Sequence, residues 1–525
     1  MKNPTSCRFL CVVCRIMTVV MLLSAMLTTI LLPLTAHAEG AAPADAAYEA
    51  KKQAYREKLM ADEITSDDLL IGSWVSFYSF GIDRYEYQLD QMSAAGINFN
   101  IFPRDFGGGA MYDARYWNRI ENQYAKRNMV YFMNGNMDEQ NIALGAQYAD
   151  GLEHCIGYHV VDEPAADAFP EIGRLVNLYR QADTTRYPFI NLLPSYAPAW
   201  ALGGTYREHV EGFVEAVGAE NIEYLSHDFY PFREGGGVMN GIFFDMEVLR
   251  AVAYENGKLK THAFPQSTAW PGTRMPTANE MRWNVYGYLA YGFKALTWFN
   301  LVCPGYSDND GEGFYDSLIY RDGTIRDPEL FAAFSELNWE VRGLSDILMN
   351  LDTSHAYHTR KYGRLETLPK DFFIQPESKS ADFIISVMEP REGEDHYVMI
   401  FNKNSREDEL TADFTVDLSG DVKWIEYFDP FIGEHIPVEI KDGVLTETFR
   451  AGEGRLYRLR TDMPPAETEA PSEEATSAPL TEAPTDAAPA SGCGSVLGGG
   501  IPAGIAAVLP CLLLCHDGPR KKGKR

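Results

Sequence analysis

The stretch "CIGYHVVDEP" (155–164) is mostly apolar until its last three residues, where two adjacent carboxylates, Asp162 and Glu163, precede Pro164. Strand alternation puts His159, Val161 and Glu163 on one face and Tyr158, Val160 and Asp162 on the other, so the two carboxylates are predicted to part. Proline biases the residue before it toward extended backbone, so Glu163 is expected to keep strand geometry. A carboxyl held there over apolar surface resists ionisation, because its charged form loses solvation. That suits a general acid that protonates a leaving oxygen. The competing reading is a loop glutamate that caps the helix which follows.

The elements that must position this residue repeat along the chain. Short apolar or aromatic runs recur between Leu69 and Leu301 at intervals of roughly 30 to 37 residues, with helical patterns between them, which is the βα period. The predicted strands are "LLIGSWVSFY", "INFNIFP", "NMVYFMN", "CIGYHVVDEP", "PFINLLPSY", "YLSHDFYP", "KTHAFPQST" and "KALTWFNL". Intervening stretches such as "EIGRLVNLYRQAD" and "NEMRWNVYGYLAYG" carry apolar residues at helical spacing and end near Asp or Gly. The expected fold is an α/β (β/α)8 barrel, with a doubly wound open sheet as the alternative. No glycine fingerprint for a dinucleotide follows the first strand. In such barrels the strands' C-terminal ends carry the chemistry, which puts Glu163 at the mouth.

From about Asp352 the texture becomes all-β, with "ADFIISVME", "HYVMIFNK", "TADFTVDL", "VKWIEYFDP" and "GRLYRLR" separated by polar turns. A β-sandwich packed beside the barrel is expected. Beyond it, a Pro, Ala, Thr and Glu stretch reads as an extended spacer. Val496 to Cys515 then carries no charge, which as a helix of about 30 Å is enough to span a bilayer ahead of the basic "RKKGKR" tail. A sorting tail removed after export is the alternative. At the other end, Lys2, Arg8 and Arg15 precede an apolar run and Ala36-His37-Ala38, which reads as an export signal or an uncleaved anchor. The expected layout is a signal over 1–38, a helical lead-in over 39–65, the barrel over 66–350, the sandwich over 351–462, a linker over 463–492 and an anchor over 493–525.

The net charge of -28 disfavours nucleic acid as a partner, since phosphate binding needs a positive face. Of the eight cysteines only Cys155 and Cys303 fall in the globular part, at opposite barrel ends, so no disulfide is expected. No HExxH, zinc-type cysteine pairing, G-x-S-x-G or phosphate loop is present. "SDNDGEGFYD" lacks the full ligand pattern of a calcium loop, so neither metal nor cofactor is expected.

A fourth strand closing in "DEP", with "SHDFYP" at the sixth and "TWFN" at the eighth, resembles the clan A glycoside hydrolases, most nearly family 42-type β-galactosidase-like barrels and their relatives. The resemblance extends into "YFDPFIGEHIPVEIKDG" and "FRAGEGRLYRL", which are similar to the sandwich that follows such barrels. The "GCGS" before the C-terminal run resembles Gram-positive surface anchors. The clan's acid/base falls on Glu163. Its nucleophilic glutamate belongs at the end of the seventh strand, where this chain has Gln266, and an amide cannot serve as that nucleophile. Asp228 of "SHDFYP" is the favoured second carboxylate, because it ends a strand lying across the barrel from the fourth. A structural Asp228, a loop carboxylate from Glu280 or Glu312, and a site that binds sugar without cleaving it stay open.

Around this pair, Trp74, Tyr230, Trp270 and Trp298 fall near strand ends as candidate sugar-stacking faces or core residues. Asp162, Arg104, Asp105, Asn134, Asn136, Asn191, His227, Gln266 and Asn300 are candidate partners for sugar hydroxyls, or loop structure. The reading is an extracellular, surface-anchored glycoside hydrolase acting on a carbohydrate, with a non-catalytic carbohydrate-binding protein as the rival.

Overall fold

The computed structural model describes residues 43–74, 82–101, 114–302, 314, 316–320 and 323–462. Eight parallel strands close into a barrel in chain order: β1 (Leu70–Trp74), β2 (Phe99–Ile101), β3 (Val130–Asn134), β4 (Cys155–Asp162), β5 (Tyr187–Leu192), β6 (Tyr224–Asp228), β7 (Lys260–Phe264) and β8 (Ala295–Trp298). β1 pairs with both β2 and β8, which excludes the open sheet. The strands are short and buried almost throughout, as a sheet enclosed by helices requires. Leu70, Phe99, Ile101, Val130, Phe132, Phe189, Tyr224 and Phe264 fill the interior, while Ile71, Tyr131, Tyr158, Leu225, Ala263 and Leu296 pack outward against helices.

The helices bury one stripe each. Ala114–Ala125 turns Tyr116, Trp117, Ile120 and Tyr124 inward, and Phe169–Ala182 turns Phe169, Ile172, Leu175, Val176 and Tyr179 inward, both at helical spacing. Tyr206–Val217 starts on a capping box, Thr205 with Glu208, and stops at Gly218, so its ends are written locally.

Nine antiparallel strands follow: β9 (Leu351–His358), β10 (Ile374–Pro376), β11 (Phe383–Pro390), β12 (His396–Asn402), β13 (Glu409–Val416), β14 (Trp424–Asp429), β15 (Glu434–Pro437), β16 (Val444–Arg450) and β17 (Gly454–Arg460). They form a six-stranded sheet, β9-β11-β12-β17-β14-β15, facing a three-stranded sheet, β10-β13-β16. This is the expected sandwich. The alternation along β12 shows how it is attached. Val398 and Ile400 enter the sandwich core, whereas Tyr397, Met399 and Phe401 join the core that the barrel helices build. The larger sheet is therefore buried on both faces.

Polar ties reinforce the junction. Tyr286 on the helix Ala278–Ala290 donates to Glu340 of the helix Pro328–Gly343 at 2.7 Å, and Glu340 is paired with Arg450 of β16. The helix Pro43–Ala61 spans the same seam, with Tyr55 bonded to Gly343 O at 3.1 Å and Tyr48 to Asp429 at 3.1 Å. Cys155 opens β4 as a buried free thiol, and Cys303 lies outside the described residues. The signal, linker and anchor expected at the two ends also lie outside them.

Candidate active site

The barrel mouth holds a pocket of about 280 Å3 lined by Trp74, Asp162, Glu163, Asn191, Tyr196, Asp228, Tyr230, Phe264, Trp270, Phe299 and Phe314. Its acidic floor comes from β4 and β6, and aromatic rings from β1, β7, β8 and the loops beyond them make its walls.

Both carboxylates of β4 reach this pocket, contrary to the alternation expected from the sequence. The β4–β5 register pairs His159 with Phe189 but Val161 with Ile190, so β4 carries one extra residue at Val160. This bulge shifts the phase. His159 points into the barrel against Trp74 and Phe189, while Asp162, three residues on, also points inward. Glu163 does not stay extended: its φ is 48°, in the left-handed region, despite the proline after it. Its N–H donates to Asn191 O at 2.9 Å, which completes the ladder while the turn brings its carboxyl back over the mouth.

Glu163 and Asp228 both line the pocket and are close enough for each to shift the other's proton affinity. Asp162 and Glu163 reach solvent through the mouth, whereas Asp228 is only 7% exposed. Desolvation, then the charges of Glu163 and Asp162, hold Asp228 well above the usual carboxylate range; Glu163 is raised by desolvation and by Asp162. Their coupling favours the proton on Asp228 and the charge on Glu163. Tyr230 beside Asp228 works in the opposite direction, favouring the charged carboxylate.

A buried chain fixes the neighbouring carboxylate. Asn191 Nδ2 donates to Asp162 Oδ1 at 3.2 Å, which leaves Asn191 Oδ1 to accept from Ser226 Oγ at 2.8 Å. Ser226 Oγ has then spent its proton and accepts from His262 Nδ1 at 2.8 Å. Burial keeps His262 neutral, so its bare Nε2 accepts from Thr297 Oγ1 at 2.7 Å. The chain runs through β8, β7, β6 and β5 and has one consistent direction, ending on Asp162.

The walls interlock. Trp74 meets Phe264 edge-on at 5.3 Å, Tyr230 meets Trp270 at 5.0 Å and Phe299 at 5.0 Å, and Phe299 meets Phe314 at 5.9 Å. These contacts, edge-to-face except for the tilted Tyr230–Phe299 pair, hold each ring in one orientation. Tyr196 is carried on a loop whose Ser195 N–H donates at 2.8 Å to Asp245, a fully buried carboxylate behind β6.

Several sequence candidates sit elsewhere. Gln266 is fully buried and turned away from the pocket: its amide bonds Phe232 N, Thr268 O and Arg274 O at 3.1, 3.1 and 2.9 Å. It ties two loops together and is not a hydrogen-bonding neighbour of the carboxylates; β7 gives the pocket Phe264 instead. His227 points outward between Ser226 and Asp228 and packs on Tyr288 and Phe293, where burial pushes its pKa down to about 3. Trp298, likewise out of phase, donates to Asn338 at 3.0 Å in the outer core. Glu280 is the capping-box acid of its helix and pairs with Arg274. Asn134, Asn136 and Asn300 do not line the pocket; the backbone carbonyl of Asn136 accepts from Tyr179 at 2.9 Å. Arg104, Asp105 and Glu312 lie outside the described residues. Sequence reasoning missed Tyr196, Phe264, Phe299 and Phe314. Phe264 was readable as the inward neighbour, two residues on, of His262.

No protein-family model matches the sequence, and no curated protein is similar to it. Solved structures do share its fold. The β-galactosidase from Bacillus circulans sp. alkalophilus superposes with a TM-score of 0.52 at 9% identity, over 75% of this chain and 99% of that one. A GH42 β-galactosidase from G. stearothermophilus gives 0.48 at 8% identity over 76% of this chain and 100% of its own. A family 5 glycoside hydrolase from Bacteroides vulgatus gives 0.44 at 11% identity, over 75% and 92%. The fold is thus shared with the Bacillus circulans β-galactosidase.

Proposed function

We propose that this protein is a glycoside hydrolase that cleaves O-glycosidic bonds, with Glu163 as general acid/base and Asp228 as the carboxylate facing the anomeric carbon. The observation that carries the reading is the meeting of Glu163 with the buried Asp228 at the floor of an aromatic-walled pocket in the barrel mouth. A sugar ring seated on those walls brings its anomeric carbon over Asp228. Positive charge growing on that carbon favours ionised Asp228, so the proton crosses to Glu163 and on to the glycosidic oxygen as the C–O bond breaks. The stereochemical outcome follows from the separation of the two carboxyls, about 5 Å for retention and roughly 6.5–9.5 Å for inversion. In the retaining course Asp228 forms a glycosyl ester, and Glu163 then takes a proton from the water that hydrolyses it.

β-Galactosides are the first substrates to try, given the β-galactosidase among the fold neighbours. Export and display at the cell envelope form part of the proposal, supported by the apolar and basic segments at the two ends of the sequence. The second reading, binding without cleavage, draws on β7 supplying Phe264 rather than a carboxylate.

The test compares wild type, Glu163→Gln and Asp228→Asn on 4-nitrophenyl and 2,4-dinitrophenyl glycosides and on a glycan panel. Wild type should release product, and both variants should lose at least about 10³-fold on glycans. Glu163→Gln should keep most of its kcat/KM on the dinitrophenyl substrate, whose leaving group needs no acid, while its kcat falls at the hydrolysis step that still needs the base; Asp228→Asn should lose both. The opposite pattern exchanges the two roles. Glycan binding with no release by wild type would overturn hydrolysis in favour of the binding reading.

A further inference from the structure

Trp200 is 79% exposed, and nothing in the proposed chemistry uses it. It sits in the single-turn helix Ala199–Leu202, on the loop after β5 that also brings Tyr196, 46% exposed, to the pocket. Burying an indole is a large gain, so one left in water on a well-ordered loop calls for a reason.

The loop is held firmly. Ser195 N–H is bonded to buried Asp245 at 2.8 Å, and Ala197 N–H to Pro194 O at 3.0 Å. Ala201 and Leu202 N–H groups both donate to Pro198 O, at 2.8 and 3.1 Å, and both side chains are buried. Leu202 O in turn accepts from His209 at 3.1 Å. One face of the turn is therefore pinned to the barrel helices while Trp200 is left outside. Gly203 closes the turn at φ 70°, and a Cβ there would lie 2.7 Å from Ala166 Cβ. Ala166 begins the turn that follows Asp162-Glu163-Pro164. The loop that carries both Tyr196 and Trp200 is thus packed against the turn that leaves the acid pair. The four-residue step from Tyr196 to Trp200 spans at most about 14 Å.

The pocket itself, at about 280 Å3, is at the small end for a ligand site, so a longer glycan must leave it across the rim. We infer that Trp200 is the platform of a further sugar-binding subsite outside the cleavage pocket, and that the substrate is an oligomeric or polymeric glycan rather than a simple glycoside. This rests on the glycosidase reading above. A pyranose ring offers an apolar C–H face that stacks on an indole while its hydroxyls stay in water, so a fixed, solvent-facing tryptophan suits a glycan chain. Because the loop is already ordered, the stacking contact costs little conformational entropy on binding.

The test measures calorimetric affinities of full-length Glu163→Gln, which keeps glycans intact, for oligosaccharides of two to six residues from galactan, xylan, mannan and cellulose. Trp200→Ala and Trp200→Phe are then added to that background. For whichever series binds, affinity should rise with length, and Trp200→Ala should lower it about tenfold for the longer chains but less than twofold for the disaccharide. Trp200→Phe should restore most of the loss. Affinity that does not grow with length, or grows equally in Trp200→Ala, overturns the subsite while leaving the pocket reading intact. Failure of every oligosaccharide to bind overturns both.

Discussion

Three carboxylates share one pocket, and their charges set one another. Asp162 is the acceptor at the end of the Thr297–His262–Ser226–Asn191 chain, and its charge helps to raise both members of the acid pair. Asp162→Asn should therefore lower the apparent pKa values of the pair, moving the basic limb of kcat/KM to lower pH by about one unit. A pH–rate profile checks this, and an unmoved basic limb would show that the Asp162 charge does not reach the pair. Asp245 makes a separate prediction. Burial pushes its carboxyl up to about 7, above the unfolded value of about 3.9. The folded state then binds the proton more tightly, so this group's contribution to stability is complete below about pH 4 and is lost as pH rises through about 7. Asp245→Asn keeps an acceptor for Ser195 N–H and carries no charge to bury. Its Tm should exceed that of wild type at pH 8, by about 2–4 kcal/mol in stability, and the gap should close at pH 4.5. Thermal melts at the two pH values decide it.

At the scale of elements, close packing places the loops around the mouth. The helix Phe169–Ala182 follows the β4 loop and crosses the helix Tyr206–Val217, which follows the Trp200 loop. They approach so closely that a Cβ on Gly173 would lie 2.1 Å from Ala216 O. Backbone cannot yield as a flexible side-chain tip does, so Gly173→Ala should force the helices apart and cost about 1–3 kcal/mol. A chemical denaturation series measures this, and an unchanged midpoint would mean that the crossing relaxes freely. The period of these helices was legible in the sequence, because a stripe such as Phe169, Ile172, Leu175, Val176 and Tyr179 is a local pattern. The crossing distance was not, since it depends on which residue of a distant helix lies opposite Gly173.

At the scale of the molecule, barrel and sandwich share a core. Met388, Tyr397, Met399, Phe401, Phe428 and Leu456 of the sandwich cluster with Trp283, Tyr286 and Leu289 of a barrel helix. Residues 43–462 should accordingly unfold in one calorimetric transition, and a barrel cut after Asn350 should aggregate, because it would expose that apolar face and leave Glu340 without Arg450. Two resolved transitions, or a soluble cut barrel, would show that the seam is not required.

The sequence alone determined the recurring βα unit, the change to antiparallel strands near Leu351, and the strand ends on which Glu163 and Asp228 sit. Periodicity and turn chemistry are local, so they can be read without neighbours. Only the tertiary structure decided which side chains meet. The extra residue at Val160 exists only in the pairing of β4 with β5 and turns Asp162 inward, and the left-handed backbone at Glu163 then brings that carboxyl to the same mouth. Beyond the end of β7, Gln266 is turned to the Phe232 and Arg274 backbones, leaving Phe264 to line the pocket. A one-residue change of phase moves every later side chain to the other face, and that phase is set by the partner strand rather than by the residues that carry it.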